Sequence, residues 1–212
     1  MKEILNDKAT LRSRLLHARS RLAPERRVAA GRALGDALCA LPEVTGAATL
    51  AAYVPVGTEP GPRELARELA DAGAGFGAGD GVSRGGPSGS GRRVLLPVLL
   101  PDDDLDWALY EGPDSLVPAG RGLREPLGRR LGPGGVRAAD VVVVPGLAVD
   151  HRGMRLGRGG GSYDRALARV PASAVTIVLL YDDEVVDVVP AEPHDRPVDI
   201  AVTPAAVYRF TR

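Results

Sequence analysis

The chain has 212 residues, and its 27 Lys and Arg residues are balanced by 27 Asp and Glu residues. This length suits a single domain with one substantial core. The balanced charge excludes a global field that would attract nucleic acid or an anionic membrane. The single cysteine, Cys39, excludes disulfides. Aromatic residues make up only 4% of the chain, which leaves few platforms for stacking single-stranded nucleic acid.

The N-terminal segment carries charges at Lys2, Glu3, Lys8 and Arg12, so it lacks the apolar core of a signal peptide. No later segment reaches the roughly 20 apolar residues that a membrane helix needs. We therefore expect a cytoplasmic protein that binds neither nucleic acid nor membrane. We also expect a monomer.

Two helices are predicted before the first strand. Within 6–20, Leu11 and Leu15 recur at helical spacing, and Asp7 is placed to cap the start. A second helix is predicted over 24–41, because proline suits a first helical turn.

Continuous apolar runs then predict strands that are buried on both faces of a sheet. A short helix from Pro62 follows the first run, and a hairpin is expected after the acidic turn at 102–104. The runs span 47–56, 94–100, 141–144, 174–180 and 200–203. This order predicts an α/β fold over 1–212, namely a single-domain, three-layer, open, mostly parallel (mixed) sheet with helices on both faces. The Gly- and Ser-rich stretch 72–91 predicts a mobile loop.

A glycine- and arginine-rich segment, RLGRGGGSYDR, occupies 155–165. Its four glycines allow positive φ angles and let successive N–H groups form a concave anion site. A helix predicted over 163–170 would turn its positive end toward the same anion. Arg155 and Arg158 add fixed charges with fork geometry. The segment therefore predicts a phosphate site.

The alternative for this segment is a flexible turn, since 73–91 is at least as rich in glycine. The apolar strand before it, the helix after it and the interleaved arginines favour phosphate binding. A Walker loop is excluded because Ser162 and Tyr163 follow Gly161 with no lysine. A dinucleotide fingerprint is excluded because Ser162 stands where its third glycine is required.

The segment 155–165 closely resembles the signature of the 5-formyltetrahydrofolate cyclo-ligases, also called 5,10-methenyltetrahydrofolate synthetases. The similarity extends over nearly the whole chain. The Lys-x-x-Leu-Arg pattern at 8–12, the Gly-Thr-Glu at 57–59, the Glu-Pro within 124–126 and the His-Asp and Asp of 194–199 all resemble family segments. The chain departs from the family at Ser162, where an aromatic residue is common, and in the length of 72–91.

The resemblance implies an enzyme that converts 5-formyltetrahydrofolate and ATP to 5,10-methenyltetrahydrofolate, ADP and phosphate. Its small-molecule substrate is 5-formyltetrahydrofolate and its cofactors are ATP and Mg²⁺. Three of the ATP-binding residues, Arg155, Arg158 and Tyr163, are also implied to be catalytic. The implied ATP contacts are Lys8, Arg12, Arg155, Gly157, Arg158, Gly159, Gly160, Gly161, Ser162 and Tyr163.

The resemblance also implies the folate contacts and the metal ligands. Phosphoryl transfer requires charge neutralisation, for which Mg²⁺ with oxygen ligands is suited. Its implied carboxylates are Asp164 and Asp195. The implied folate contacts are Val54, Glu59, Arg158, Gly159, Gly160, Gly161 and Ser162.

Other interpretations remain open for these residues and for the function. In isolation, Lys8 and Arg12 would be a solvated helix face, Glu59 a surface loop residue and Asp164 a helix cap. The first alternative function is a non-cyclising paralogue that binds nucleotide or folate without turnover. The others are a small-molecule kinase of unrelated substrate and a non-enzymatic scaffold.

Overall fold

A computed structural model describes residues 7–72, 92–192 and 195–211. The described residues form both α-helices and β-strands. The helices are Lys8–Ser20 (α1), Pro24–Cys39 (α2), Pro42–Thr45 (α3), Leu65–Asp71 (α4) and Ser162–Leu167 (α5). The strands are Thr49–Ala51 (β1), Arg93–Leu99 (β2), Leu105–Leu109 (β3), Leu116–Pro118 (β4), Arg124–Pro126 (β5), Val141–Pro145 (β6), Ala148–Val149 (β7), Arg155–Leu156 (β8), Val175–Leu179 (β9), Ile200–Val202 (β10) and Val207–Arg209 (β11).

Seven of these strands form one mixed sheet in the order β11-β10-β9-β6-β1-β2-β3. The five inner strands run parallel to one another, and β3 and β11 pair antiparallel at the two edges. Two short antiparallel ribbons, β4–β5 and β7–β8, lie outside the main sheet. The mostly parallel, mixed sheet predicted from the apolar runs is confirmed.

Helices cover both faces of the sheet, as predicted. Alternate residues of a strand point to opposite faces, and the fully apolar β6 buries both sets. Val141 and Val143 pack in a cluster with α2, α3 and α4, whereas Val142 and Val144 pack in a second cluster with α5. A 3₁₀ helix at Pro133–Ala138 also belongs to that second layer.

Several predicted elements differ from the observed ones in extent. The first strand is limited to Thr49–Ala51 rather than 47–56, because the chain leaves the sheet after Ala52 and turns along the edge of a cavity. The helix predicted over 163–170 is Ser162–Leu167. The edge strand Val207–Arg209 was not predicted. The proposed mobile loop lies, apart from residue 72, outside the described residues, and the single domain over 1–212 stays a prediction.

The connections place a crevice at the carboxyl ends of the neighbouring central strands β1 and β6. In the chain, α4 lies between β1 and β2 and packs on one face, whereas α5 lies between β6 and β9 and packs on the other. β1 and β6 are neighbours, so the connections leave the sheet in opposite directions at this pair. In open α/β sheets, ligands bind outside the carboxyl ends of the strands at such a point. No helix in the described parts of the chain is long and apolar enough to span a membrane.

Candidate active site

A cavity of about 300 Å³ opens at the carboxyl ends of β1, β2 and β6. Its position is the one that the topology favours for a ligand. It brings together residues separated by about 100 positions in the sequence. Eleven of the fourteen site residues predicted from the sequence line it, and they are Val54, Glu59, Arg155, Gly157, Arg158, Gly159, Gly160, Gly161, Ser162, Tyr163 and Asp164.

The other three predicted residues do not line the cavity, and one of them, Arg12, contacts the glycine loop. Arg12 on α1 donates from Nε to the carbonyl oxygen of Gly157, at 2.9 Å. One helical turn earlier, Lys8 Nζ lies 2.6 Å from Asp195 Oδ2. Helix α1 therefore approaches the loop through Arg12, and its other predicted ATP-binding cation, Lys8, pairs with the predicted metal ligand Asp195.

Backbone conformation explains the glycines of the loop. Gly159 has φ +103° and Gly161 has φ +71°, in the region that residues with a Cβ rarely adopt. A Cβ at Gly157 would also lie 2.8 Å from Nη1 of Arg155. The loop thus passes close to the guanidinium group that forms part of the cavity wall, and a larger residue at Gly157 would push that group away.

Arg155 is a buried cation in this wall, with a side chain only 3% exposed. Its Nη1 donates to the carbonyl oxygen of Pro145 at 3.0 Å, and its Nη2 pairs with Asp164. Its Nε is buried and has no hydrogen-bond partner within the described residues. A buried N–H without an acceptor is costly. Because Arg155 lines the cavity and carries a fixed positive charge, it fits an anionic or carbonyl group of a ligand there.

Glu59 and Arg158 form an ion pair in the cavity lining, with Oε1 and Nε 3.3 Å apart. Glu59 also accepts a hydrogen bond from the Val56 N–H, at 3.0 Å. Burial raises the pKa of Glu59, although the Val56 hydrogen bond and the Arg158 charge oppose this shift. Arg158 itself is 51% exposed. The pair thus joins a largely buried acceptor to a half-exposed cation.

Two tyrosines flank the same cavity. Burial is the largest cause that raises the pKa of Tyr163, and the charge of Glu59 raises it further. Burial likewise raises the pKa of Tyr53, whose hydroxyl donates to the carbonyl oxygen of Pro60. Both phenols therefore remain protonated near neutral pH. Tyr163 can donate a hydrogen bond there but cannot act as a base.

Sequence reasoning missed one wall of the cavity. Glu125 of β5 accepts a hydrogen bond from the Leu99 N–H at 2.9 Å, which ties the β4–β5 ribbon to β2. A signal was present, since 124–126 resembles a family segment, but the strand residues of β2 and β3 carried none. The missed lining residues include Tyr53, Pro97, Leu99, Leu105, Arg121, Leu123, Arg124 and Glu125.

Two carboxylates, Asp164 and Asp195, were predicted to hold Mg²⁺. Residues 7–72, 92–192 and 195–211 contain no group of three or more His, Cys, Asp or Glu side chains suited to a metal. Mg²⁺ bound with a nucleotide, however, needs only one or two carboxylates beside phosphate oxygens. Asp164 fits that role, because it lines the cavity and its side chain is 27% exposed. The role of Asp195, which contacts Lys8, stays a prediction.

Comparisons with known proteins identify the family of this chain. The model of the 5-formyltetrahydrofolate cyclo-ligase family matches residues 4–75 and 88–204. A 5-formyltetrahydrofolate cyclo-ligase of Mycolicibacterium smegmatis is 40% identical over 202 residues, which cover 93% of each chain. A protein of the same name from Escherichia coli K12 is 34% identical over 126 residues, or 57% of this chain and 68% of that protein.

Solved structures agree as well. A 5,10-methenyltetrahydrofolate synthetase of Aquifex aeolicus, solved by NMR, superposes with a TM-score of 0.76 at 28% identity, covering 97% of this chain and 93% of that one. A synthetase of Mycoplasma pneumoniae has a TM-score of 0.68 at 20% identity over 93% of this chain and 99% of its own, which supports the fold alone. The family resemblance of the sequence is thereby confirmed, and the chain belongs to the 5-formyltetrahydrofolate cyclo-ligase family.

Proposed function

We propose that this chain converts 5-formyltetrahydrofolate to 5,10-methenyltetrahydrofolate in a reaction that requires ATP and Mg²⁺ and releases ADP and phosphate. The observation that carries the proposal is the composition of the cavity. Its lining combines a glycine loop and the buried Arg155 with apolar side chains and the largely buried Glu59. Such a cavity suits a phosphate group and a flat heterocycle side by side.

The two substrates are assigned by chemistry. The ATP phosphates lie against the backbone of 157–161, with the cations Arg155 and Arg158 on the loop and Lys8 and Arg12 on α1. The pterin ring lies on the apolar side near Val54. There its N–H groups donate to the carboxylate of Glu59. The limited volume brings the formyl group next to the γ-phosphate.

The reaction begins with attack of the formyl oxygen on the γ-phosphorus, and the bond between that phosphorus and ADP breaks. N10 of the folate then attacks the activated formyl carbon and loses its proton. The bond from carbon to the phosphorylated oxygen breaks, phosphate leaves, and the ring closes. Phosphoryl transfer depends mainly on positioning and charge stabilisation. Arg155 and Arg158 supply the charge, and the protonated Tyr163 supplies a hydrogen bond.

Mg²⁺, held by Asp164 and Asp195, would neutralise the β and γ oxygens of ATP when bound. The ion pair between Arg155 and Asp164 holds this carboxylate at the cavity wall.

An isotope experiment tests the proposed phosphorylated formyl intermediate. 5-Formyltetrahydrofolate labelled with ¹⁸O in the formyl group is mixed with the protein, ATP and Mg²⁺, and the methenyl chromophore is followed. The expected result is a label in the released inorganic phosphate. A label found in water would overturn the scheme.

The second candidate is a non-cyclising paralogue that binds nucleotide or folate without turnover. The observation that favours it is Ser162, which lines the cavity where the family often has an aromatic residue. Equilibrium binding of both ligands without the chromophore would select this alternative. The expectation of a cytoplasmic monomer stays a prediction.

A further inference from the structure

A buried ion pair lies at the C-terminal end of α1, outside the candidate active site. The side chains of Arg19 and Glu184 are only 1% and 3% exposed. Arg19 Nε donates to Glu184 Oε1 at 2.6 Å, and Arg19 Nη2 donates to Glu184 Oε2 at 2.7 Å. The mechanism above uses neither residue, so their burial calls for another explanation.

Stability by itself is a weak explanation. Removing two charges from water costs several kcal/mol for each ion, and a well-packed apolar pair in the same place is often as stable or more so. In addition, Nη1 of Arg19 is buried with no hydrogen-bond partner in the part of the chain that the structure describes. An unsatisfied donor on a buried cation costs free energy, which argues against stability as the only role of the pair.

The contacts of the pair reach two sides of the candidate active site. Arg19 Nη2 also donates to the carbonyl oxygen of Gly146, at 2.5 Å, and Gly146 lines the cavity after β6. The guanidinium group lies 5.5 Å from the ring centre of Tyr181. The Tyr181 hydroxyl donates to the carbonyl oxygen of Thr58 at 3.3 Å, next to Glu59. A hydrogen bond from Arg19 therefore connects α1 to Gly146 in the cavity lining.

The position of Arg19 affects two other cations on the same face of α1. At 3.6 residues per turn, Lys8, Arg12 and Arg19 lie within about 40° of one another around the axis. Arg19 is about 10 Å along the axis from Arg12, which contacts Gly157. A straight helix transmits any shift at Arg19 to these two cations.

Apolar packing does not set that position with the same accuracy. Leu11 and Leu15 pack in a small separate cluster over the β7–β8 ribbon. Apolar contacts are non-directional, whereas hydrogen bonds to fixed acceptors are directional. The hydrogen bonds from Arg19 to Glu184 and Gly146 therefore determine the axial position of α1 and its rotation about that axis.

We propose that Arg19 and Glu184 are positioning residues, which hold α1 so that Arg12 and Lys8 meet the ATP phosphates beside the glycine loop. The inference rests on the proposed function, since it assigns a purpose to the contacts between α1 and that loop. It adds to the proposed function a structural element that binds no substrate itself but determines nucleotide affinity.

The test is the double variant Arg19→Met with Glu184→Gln. It removes both buried charges together and keeps an amide oxygen to accept the Tyr181 N–H, which bonds to Glu184 at 2.9 Å. The expected result is a folded protein in which the KM for ATP rises about 10- to 100-fold, with little change in the KM for 5-formyltetrahydrofolate. Equilibrium titration with ATP and Mg²⁺, without folate, should show the same loss of affinity.

The matched control is Arg209→Met with Glu43→Gln, an ion pair between β11 and α3 whose two residues do not line the cavity. It should leave both KM values unchanged. If the first double variant does not fold, Arg19→Lys is the second variant. It keeps the charge paired, but a single amine cannot reproduce the planar fork that reaches Glu184 and Gly146 together, so the same selective loss is expected.

The outcomes separate the inference from the proposed function. Unchanged ATP affinity in a folded variant, or equal losses for ATP and folate, would overturn the positioning role while wild-type turnover still supports the enzyme. Absence of wild-type turnover would instead refute the proposed function. In that case the titration of ATP and Mg²⁺ still decides whether Arg19 sets nucleotide affinity.

Discussion

Arg158→Ala separates the catalytic from the structural contribution of the glycine loop. The side chain is 51% exposed, and its ion pair within the described residues is with Glu59, at 3.3 Å. An ion pair this exposed contributes up to about 1 kcal/mol to stability. In a chain of this length, that loss lowers Tm by about 2–4 °C at most. Loss of a guanidinium group that stabilises a transferring phosphoryl group instead lowers turnover at least about 100-fold.

The assay measures kcat from the methenyl chromophore and Tm from thermal unfolding for the same protein samples. Arg209→Ala is a close control, because Arg209 is 53% exposed and also pairs with a glutamate, Glu43, remote from the cavity lining. Both variants should lose similar stability, and only Arg158→Ala should lose turnover. Similar turnover in the two variants would refute a catalytic role for Arg158.

Two further predictions concern the carboxylates of the cavity. Glu59→Gln should raise the KM for 5-formyltetrahydrofolate about 10-fold or more and leave that for ATP unchanged; an unrelated small-molecule kinase would show no such selectivity. Burial raises the pKa of Glu59 above its ordinary 4.5, so the contribution of this group to stability is largest below 4.5 and is lost as pH rises through the raised pKa. Substrate binding, which needs the ionised form, should weaken as pH falls through the same value, and Glu59→Gln should remove this limb of the kcat/KM profile. Asp164→Asn should raise the Mg²⁺ concentration for half-maximal rate, whereas Asp102→Asn, in the acidic turn outside the lining, should not; equal Mg²⁺ dependence in both would exclude Asp164 as a ligand.

The elements with strong local signals were predicted correctly. The Asp7 side chain accepts from the Ala9 N–H at the start of α1, as the capping pattern indicates. The four valines of β6 are all buried, as expected of a strand covered on both faces. The exposed edge strand Val207–Arg209 was missed, because three exposed residues show no apolar periodicity and pairing with β10 alone makes them a strand.

The candidate site was predictable where a motif marks it. Glycines 159 and 161 adopt the positive φ angles that their positions suggested. Leu99, Leu105 and Leu123 could not be identified in this way. An apolar side chain in a strand or loop has the same sequence pattern whether it faces the core or a cavity.

The sequence by itself determined the family, the mostly parallel sheet and the chemical groups of the phosphate loop, since apolar periodicity and a long motif are properties of neighbouring residues. Only the tertiary structure decided which distant groups meet. Arg158 faces Glu59, Arg12 reaches Gly157 and Arg19 is buried against Glu184. These contacts arise because the connections leave the sheet in opposite directions at β1 and β6, which opens the crevice, and because α1 packs beside it. Such pairings join residues about 100 or more positions apart, and no local pattern specifies them.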